Sequence, residues 1–156
     1  MTKSALVDVL VGGTQVVAAA ITAPLGRSRY NRWGATDAEV RAAMPGDDLV
    51  ASPRLGYTRA LSIAAPVERV WPWLVQMGCM RAGWYSNDLL DNLGHPSSDA
   101  ILPEWQDIGV GEVAAPMANP PTPTTSFVIA EVDAPQRLVW SKPDSTWAWT
   151  LEPIDG

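Results

Sequence analysis

The chain contains very few of the residues from which catalytic and metal sites are usually built. It has one cysteine, Cys79, and one histidine, His95, among 156 residues. A single cysteine excludes an internal disulfide and a cysteine-based zinc site. With one histidine, no metal site of ordinary ligand spacing can be drawn, so we predict no metal and no cofactor. A Cys79–His95 pair stays conceivable, but a lone cysteine is typically a small buried apolar residue.

Positive charge is scarce as well. Eleven lysines and arginines stand against 17 aspartates and glutamates, which gives a net charge of −6 at pH 7. Binding to nucleic acid depends on clustered basic residues that neutralise phosphates, so nucleic acid is excluded as a partner. Hydrophobic residues at 47% and charged residues at 18% are typical of a globular protein, and the length fits one domain.

The first 30 residues form an apolar segment followed by a basic linker. The segment Ala5–Leu25 is long enough to span a bilayer, and the flanking charges would leave the rest of the chain on the cytoplasmic side. These charges are Lys3, Arg27, Arg29 and Arg32.

The same segment also has a polar stripe. Asp8, Gln15 and Thr22 recur every seven residues, which favours an amphipathic helix docked on its own domain or lying on a membrane surface. We predict a cytoplasmic protein, with membrane association through residues 5–25 as the alternative. We treat residues 1–30 as this N-terminal helix and linker, and residues 31–156 as the main domain.

Short helices and strands are predicted along the main domain. Thr36–Glu39 is a capping-box pattern for a helix that reaches about Ala43, and Ser86 is expected to cap a helix over Asn87–Leu93. Pro66 opens a longer helix with one apolar face; Glu68, Arg69 and Gln76 fall on its other side. Alternating residues predict five strands: Leu55–Ile63, Glu112–Met117, Ser126–Asp133, Arg137–Ser141 and Ser145–Glu152.

Four motifs occur in a characteristic order: WPWLVQMG from Trp71, RAGWYS from Arg81, DLLDNL from Asp88 and ILPEWQDIGVGE from Ile101. As an ordered set they resemble a bacterial branch of the START-like, helix-grip superfamily (SRPBCC). That superfamily includes polyketide cyclases and dehydrases and lipid-transfer proteins. The resemblance covers roughly residues 33–156 and implies an α+β fold, in which a curved antiparallel sheet grips a long C-terminal helix around an apolar cavity.

The sequence departs from the family pattern at its C-terminal end. A complete helix-grip domain would continue beyond Gly156 with at least one more strand and the long helix that closes the cavity. We therefore expect a truncated domain, a shortened gene product or a chain completed by a partner. The expected fold is a helix-grip sheet that lacks these last elements, with the apolar helix added at the N-terminus.

Tryptophan is the abundant aromatic residue, with eight copies against one phenylalanine. The fold implied by the resemblance would bring most of these indoles around one cavity, which suits a hydrophobic small molecule such as a lipid or a polyketide. They suit an ordinary core equally well. The candidate ligand-binding residues are Trp71, Leu74, Trp84, Tyr85, Trp105, Trp140, Trp147, Trp149 and Arg81.

Two other functions remain open. The first is a cyclase- or dehydratase-like enzyme in which Arg81, Tyr85 and Glu104 position an enolate or a carbonyl, an idea that depends on analogy with the family. The second is an incomplete, inactive fragment or a membrane-tethered form. Asp88 and Asp91 near Arg81 could form a polar site at the cavity mouth, or simply cap a helix and make an exposed ion pair. No residue is assigned a catalytic role.

Overall fold

The computed structural model describes residues 29–116 and 120–154, together with residues 14, 17, 18, 21 and 26. These residues fall into two compact units. The first lies within Met1–Ala42 and Leu55–Ser62, and the second lies within Ala43–Arg54 and Ile63–Gly156.

The first unit contains a short capped helix, α1 (Asp37–Arg41). The hydroxyl of Thr36 accepts a hydrogen bond from the Glu39 amide at 3.2 Å, and the Glu39 carboxylate accepts one from the Thr36 amide at 2.6 Å. This reciprocal pair satisfies two amides that the first helical turn leaves free, so the predicted capping box is confirmed.

The predicted strand Leu55–Ile63 is wrong. It has no regular secondary structure, and its amides at Thr58 and Ala60 donate to the carbonyls of Asn31 and Trp33 rather than to a neighbouring strand. Alternation predicts an extended segment with two faces, whereas a sheet also needs a partner strand. The apolar side chains that would have formed the buried face are exposed: Leu55, Tyr57, Leu61 and Ile63.

Most of the predicted N-terminal helix Ala5–Leu25 lies outside the described residues. Within it, Thr14, Val17, Ala18 and Ile21 are described and are helical and exposed. In the part of the chain that the structure describes, no helix is both long enough and apolar enough to cross a bilayer.

The second unit is built on a four-stranded antiparallel sheet whose strands follow chain order: β1 (Val113–Pro116), β2 (Ser126–Asp133), β3 (Arg137–Lys142) and β4 (Ser145–Thr150). The last four predicted strands are therefore confirmed, with ends shifted by at most two residues. Register shifts interrupt the ladder between Val113 and Ala115 and between Ile129 and Glu131. An open antiparallel sheet with short helices makes the fold α+β, as predicted.

Helix α2 (Val67–Val75) begins after Pro66 and lies against this sheet. Val75 belongs to the buried core with Ile129, Leu138 and Trp140. Trp71, Leu74 and Met77 of the predicted apolar face pack against this core and are partly buried, whereas the fully buried Val75 was not placed on that face. Gln76, expected on the solvent side, is completely buried at the end of the helix.

Two shorter helices follow: α3 (Asp88–Asp91) and a 3₁₀ helix (Pro103–Trp105). Ser86 does not cap α3. The carboxamide oxygen of Asn87 accepts from the Leu90 amide at 3.2 Å, while the Ser86 hydroxyl donates to Asp91 at 2.6 Å. Both residue types cap helices well, and here the residue one position later occupies the cap.

The sheet is covered on both faces near its centre. Side chains of β3 alternate, so Leu138 and Trp140 face the core with α2, whereas Val139 faces the opposite side and is also fully buried. Gly46 lies against Val139: a Cβ atom at Gly46 would stand 2.7 Å from the Val139 side chain. The loop around Gly46 therefore approaches the second face closely because it has no side chain there.

Candidate functional site

Five aromatic rings meet on the core face of the sheet and form what we call the aromatic cluster: Trp84, Phe127, Trp140, Trp147 and Trp149. The ring centroids of Trp140 and Trp149 are 4.6 Å apart, and those of Phe127 and Trp147 are 5.1 Å apart. Pairing of β3 with β4 places Trp140 directly opposite Trp147. The alternation of the two strands thus collects the indoles on one face.

The rings of the aromatic cluster differ widely in solvent exposure. Trp140 is 1% exposed, whereas Trp147 is 41% exposed. The indole N–H of Trp140 is buried, and no acceptor among the described residues bonds to it. Tryptophan is a donor only at this nitrogen, so the cluster holds one unpaired donor in apolar surroundings.

Two further predicted residues come to the same core from α2. Trp71 and Leu74 are partly buried and pack against the core that contains Trp140, as do Trp84 and Trp149. Six of the nine predicted ligand-binding residues therefore meet around one face of the sheet. The other three, Arg81, Tyr85 and Trp105, are placed differently.

The Arg81 side chain hydrogen-bonds to backbone carbonyls of separate segments. Its guanidinium donates to the carbonyl of Val75 at 2.8 Å and to that of Ala114 at 3.0 Å. Longer contacts of 3.4 and 3.5 Å reach the carbonyls of Trp105 and Val113. These bonds leave the buried Nε–H, which has no partner in the described part of the chain. Arg81 thus ties the end of α2 to β1 and offers little to a ligand.

The charge on Arg81 is stabilised by dipoles rather than by an ion pair. Its guanidinium lies 4.7 Å from the ring centroid of Trp105, a cation–π distance. Burial lowers the pKa of Arg81 from its ordinary value, and the charge of Glu112 acts in the opposite direction. None of the ion pairs within the described residues involves Arg81. Asp88 instead accepts from the Ser97 hydroxyl at 2.7 Å, which supports the turn after α3.

Tyr85 stands beside α2 and is 42% exposed. Its φ of 55° is in the left-handed region, which costs a non-glycine residue about 1 to 2 kcal/mol. The phenol oxygen accepts a hydrogen bond from the Gln76 side chain at 2.5 Å, and the ring meets Trp73 edge-on at 5.8 Å. Within the described residues the phenol hydrogen has no acceptor, so it can donate outward.

Gln76 is the polar residue that the sequence did not identify. Its amide nitrogen donates to Tyr85 and to the Ala100 carbonyl, and its amide oxygen accepts from the Leu102 amide and from Gln106. All four hydrogen-bonding positions of the carboxamide are thus occupied. Helical periodicity placed Gln76 on the polar side, and only its position at the helix end, two residues before a glycine, sets it apart.

The remaining candidates for chemistry are not assembled. Cys79 is buried, His95 is exposed, and Glu104 lies exposed in the 3₁₀ helix rather than as a buried acid. The described residues contain no group of three or more histidine, cysteine, aspartate or glutamate side chains that could hold a metal ion.

Two surface cavities lie away from the predicted residues. In the first unit, a cavity of about 590 Å³ is lined by Arg29, Arg32, Trp33 and Gly34. In the second, a groove of about 320 Å³ is lined mainly by Val113, Pro121, Pro123, Val128 and Pro143, with Ser126, Ser141 and Lys142 among its polar residues. The Ser126 hydroxyl is buried and has no partner within the described chain. Val128 and Ser141 are paired in the β2–β3 ladder, so this groove lies on the sheet.

The chain matches no protein-family model, no curated protein and no solved structure.

Proposed function

We propose that this chain binds a hydrophobic small molecule, lipid- or polyketide-like, at the aromatic cluster. The observation that supports the proposal most directly is the buried indole N–H of Trp140, which lies among four other rings and has no acceptor in the part of the chain that the structure describes. A buried donor without an acceptor costs about 1 to 3 kcal/mol. A ligand that brings one oxygen to this point would remove that cost.

The chemistry of the cluster suits such a ligand. Indole rings provide large, rigid apolar surfaces, and sites of this kind combine them with a small number of polar groups that fix orientation. Trp147 stacks against Trp140 and is itself 41% exposed. A ligand that reaches Trp140 from solvent would therefore displace the Trp147 ring. The expected ligand is therefore apolar with one hydrogen-bond acceptor.

The proposal includes a helix-grip arrangement of the domain, with the sheet curved around the ligand. Three features support it: the order of the four sequence motifs, the two register shifts in β1 and β2, and the packing of α2 on the same face as the tryptophans. Register shifts of this kind bend and twist strands. The aromatic cluster would then line the inside of the curve.

A binding experiment with a matched control tests the site. The probe is cis-parinaric acid, whose fluorescence is excited by energy transfer from tryptophan. Trp147→Leu removes the exposed ring of the cluster and should weaken probe binding about tenfold. This loss is part of the free energy that burial of one aromatic side chain contributes. Trp73→Leu removes an indole of similar exposure, 38%, that contacts Tyr85 instead, and should leave binding unchanged. Equal effects of the two substitutions would contradict the assignment.

The role of the Trp140 N–H is tested separately. The compounds 2-acetylnaphthalene and 2-ethylnaphthalene have nearly the same shape, and only the first carries a carbonyl acceptor. Displacement of the probe measures the affinity of each compound, and the ratio of the two affinities is the preference for the ketone. Trp140→Phe should reduce this ratio about fivefold, because one hydrogen bond is lost. An unchanged preference in the variant would show that this N–H does not meet the ligand.

A cyclase- or dehydratase-like enzyme is the second candidate, and Tyr85 is the observation that favours it. Its phenol keeps a free hydrogen at a position held by Gln76 and by an unusual backbone conformation. Such a donor could stabilise negative charge that develops on a carbonyl oxygen. Turnover of a polyketone that is lost in Tyr85→Phe, with binding of that compound unchanged, would support the enzyme over the carrier.

A further inference from the structure

Strand β4 forms an edge of the sheet, and its geometry defines which backbone groups face outward. The two-residue turn Pro143-Asp144 pairs Lys142 with Ser145, and such a turn closes on a hydrogen-bonded pair. Hydrogen bonding then alternates, so the amides and carbonyls of Trp147 and Trp149 face β3. The amide of Leu151 continues this side by donating to the Gln136 carbonyl at 2.8 Å. The backbone amides and carbonyls of residues 146, 148 and 150 point away from β3.

This edge lacks two of the features that commonly protect an edge strand, proline and charged side chains. Within the described part of the chain, no hydrogen bond reaches the outward amides and carbonyls of Thr146, Ala148 and Thr150. The strand contains no proline and no charged residue, the two common means of preventing strand addition. The edge is therefore able to accept another strand.

The sequence of this edge is the same in both directions. Residues 146–150 are Thr-Trp-Ala-Trp-Thr, symmetric about Ala148. If two copies of β4 run antiparallel with a two-fold axis at Ala148, each Thr146 lies opposite the second copy's Thr150, and each Trp147 opposite its Trp149. A palindromic strand is thus complementary to itself in a register that also aligns the outward backbone groups.

We propose that β4 pairs with β4 of a second copy of this chain, so that one antiparallel sheet runs through both copies. The outward groups of Thr146, Ala148 and Thr150 become the hydrogen-bonded pairs of the new ladder. The tryptophans occupy the alternate pairs, where side chains across an antiparallel ladder are closest and aromatic pairs stabilise most. The contact is isologous and produces a closed dimer.

The charges around the strand fit this register. The centre of the contact is neutral, and only the flanking residues carry charge. Asp144 would lie opposite the second copy's Glu152, but Asp144 already forms an ion pair with Lys142, which offsets the like charge. Thr146 and Thr150 lie on the sheet face opposite the aromatic cluster, so substitutions at these two positions test the pairing without removing a ring of the ligand site, whereas Trp147 and Trp149 belong to both.

A charge-swap experiment tests the pairing. In T146K/T150K, the lysine introduced at position 146 would lie opposite the lysine introduced at position 150 of the second copy. The two repulsive pairs should raise the dimer dissociation constant about tenfold or more. In T146K/T150E, each lysine would lie opposite a glutamate, and the dimer should persist. The two variants share the substitution at residue 146, so any loss of folding from that change appears in both. Near-ultraviolet circular dichroism checks the fold.

Sedimentation equilibrium and amide hydrogen exchange provide the two readouts. The wild-type chain should be a dimer, and the amides of residues 146, 148 and 150 should gain protection as protein concentration rises. The amides of Trp147 and Trp149 should be protected at every concentration. A wild-type chain that is monomeric up to its solubility limit, or equal dissociation constants for the two double variants, would overturn the proposal.

Discussion

Replacing Arg81 by methionine should destabilise the second unit strongly. Methionine keeps the length and much of the apolar volume of the side chain but donates no hydrogen bond. The carbonyls of Val75 and Ala114, bonded at 2.8 and 3.0 Å, would lose their charged donor. The contact between the guanidinium and the Trp105 ring would also disappear.

The magnitude follows from these contacts. Hydrogen bonds to a charged group contribute about 1.5 to 3 kcal/mol each, so the two short bonds amount to about 3 to 6 kcal/mol. Part of this loss is offset in the variant, because methionine does not carry the unfavourable burial of a charged guanidinium. The lowered pKa of Arg81 indicates that this burial is unfavourable. We expect a net loss of about 2 to 4 kcal/mol in the free energy of unfolding. A domain of this size has about 5 to 15 kcal/mol in total, so the variant should still fold.

Urea unfolding followed by tryptophan fluorescence measures the loss. With a slope of about 2 kcal/mol per molar urea, the midpoint should fall by about 1 to 2 M. Arg69→Met is the matched control, because Arg69 is an exposed arginine of α2 and should change stability by less than about 0.5 kcal/mol. If the two variants unfold at the same urea concentration, the guanidinium does not hold α2 to β1 and the reasoning fails.

Two further predictions concern backbone crowding and pH. Gly83 and Gly111 have nearly equal φ, 93° and 91°, but a Cβ would stand 2.7 Å from the Ser97 Cα in the first case and near no atom in the second. In urea unfolding, Gly111→Ala should lower the free energy of unfolding by about 1 to 2 kcal/mol, and Gly83→Ala should lower it by at least about 1 kcal/mol more. Equal losses in the two variants would show that Ser97 does not crowd Gly83. Hydrogen bonds from the hydroxyl and amide of Thr36 hold the pKa of Glu39 below its ordinary 4.5, so this contribution to α1 is full above pH 4.5 and is lost as the pH falls through the lowered value. NMR titration should show the pKa rise in Thr36→Ala, and an unchanged titration would exclude the capping bond.

The strands β2 to β4 could be predicted because each step depended on neighbouring residues. Alternating side chains gave the two faces of each strand, and the short turns around Pro135 and at Pro143-Asp144 fixed the pairing of consecutive strands. The same pattern failed over Leu55–Ile63, because an extended segment becomes a strand only when another strand lies beside it. That condition depends on distant parts of the chain.

The candidate site was only partly predictable for a similar reason. The tryptophans of β3 and β4 meet because the register of one hairpin aligns them, and the local pattern contains this information. The bonds of Gln76 join residues 9 to 30 positions away in sequence. The local sequence marks Gln76 only by its position at the helix end, which does not identify these partners, so helical periodicity assigned it to the wrong side.

Arg81 also determines the order in which parts of the second unit can be completed. One of its short bonds reaches back six residues to Val75, and the other reaches forward 33 residues to Ala114. During synthesis the chain emerges from its N-terminal end, so α2 and the turn after it are made well before β1 exists. Until Ala114 has left the ribosome, the Val75 carbonyl is the partner of this guanidinium in its one short bond. The contacts of α2 with Ile129, Leu138 and Trp140 need strands that emerge later still, so the closure of α2 onto the sheet is a late event in synthesis.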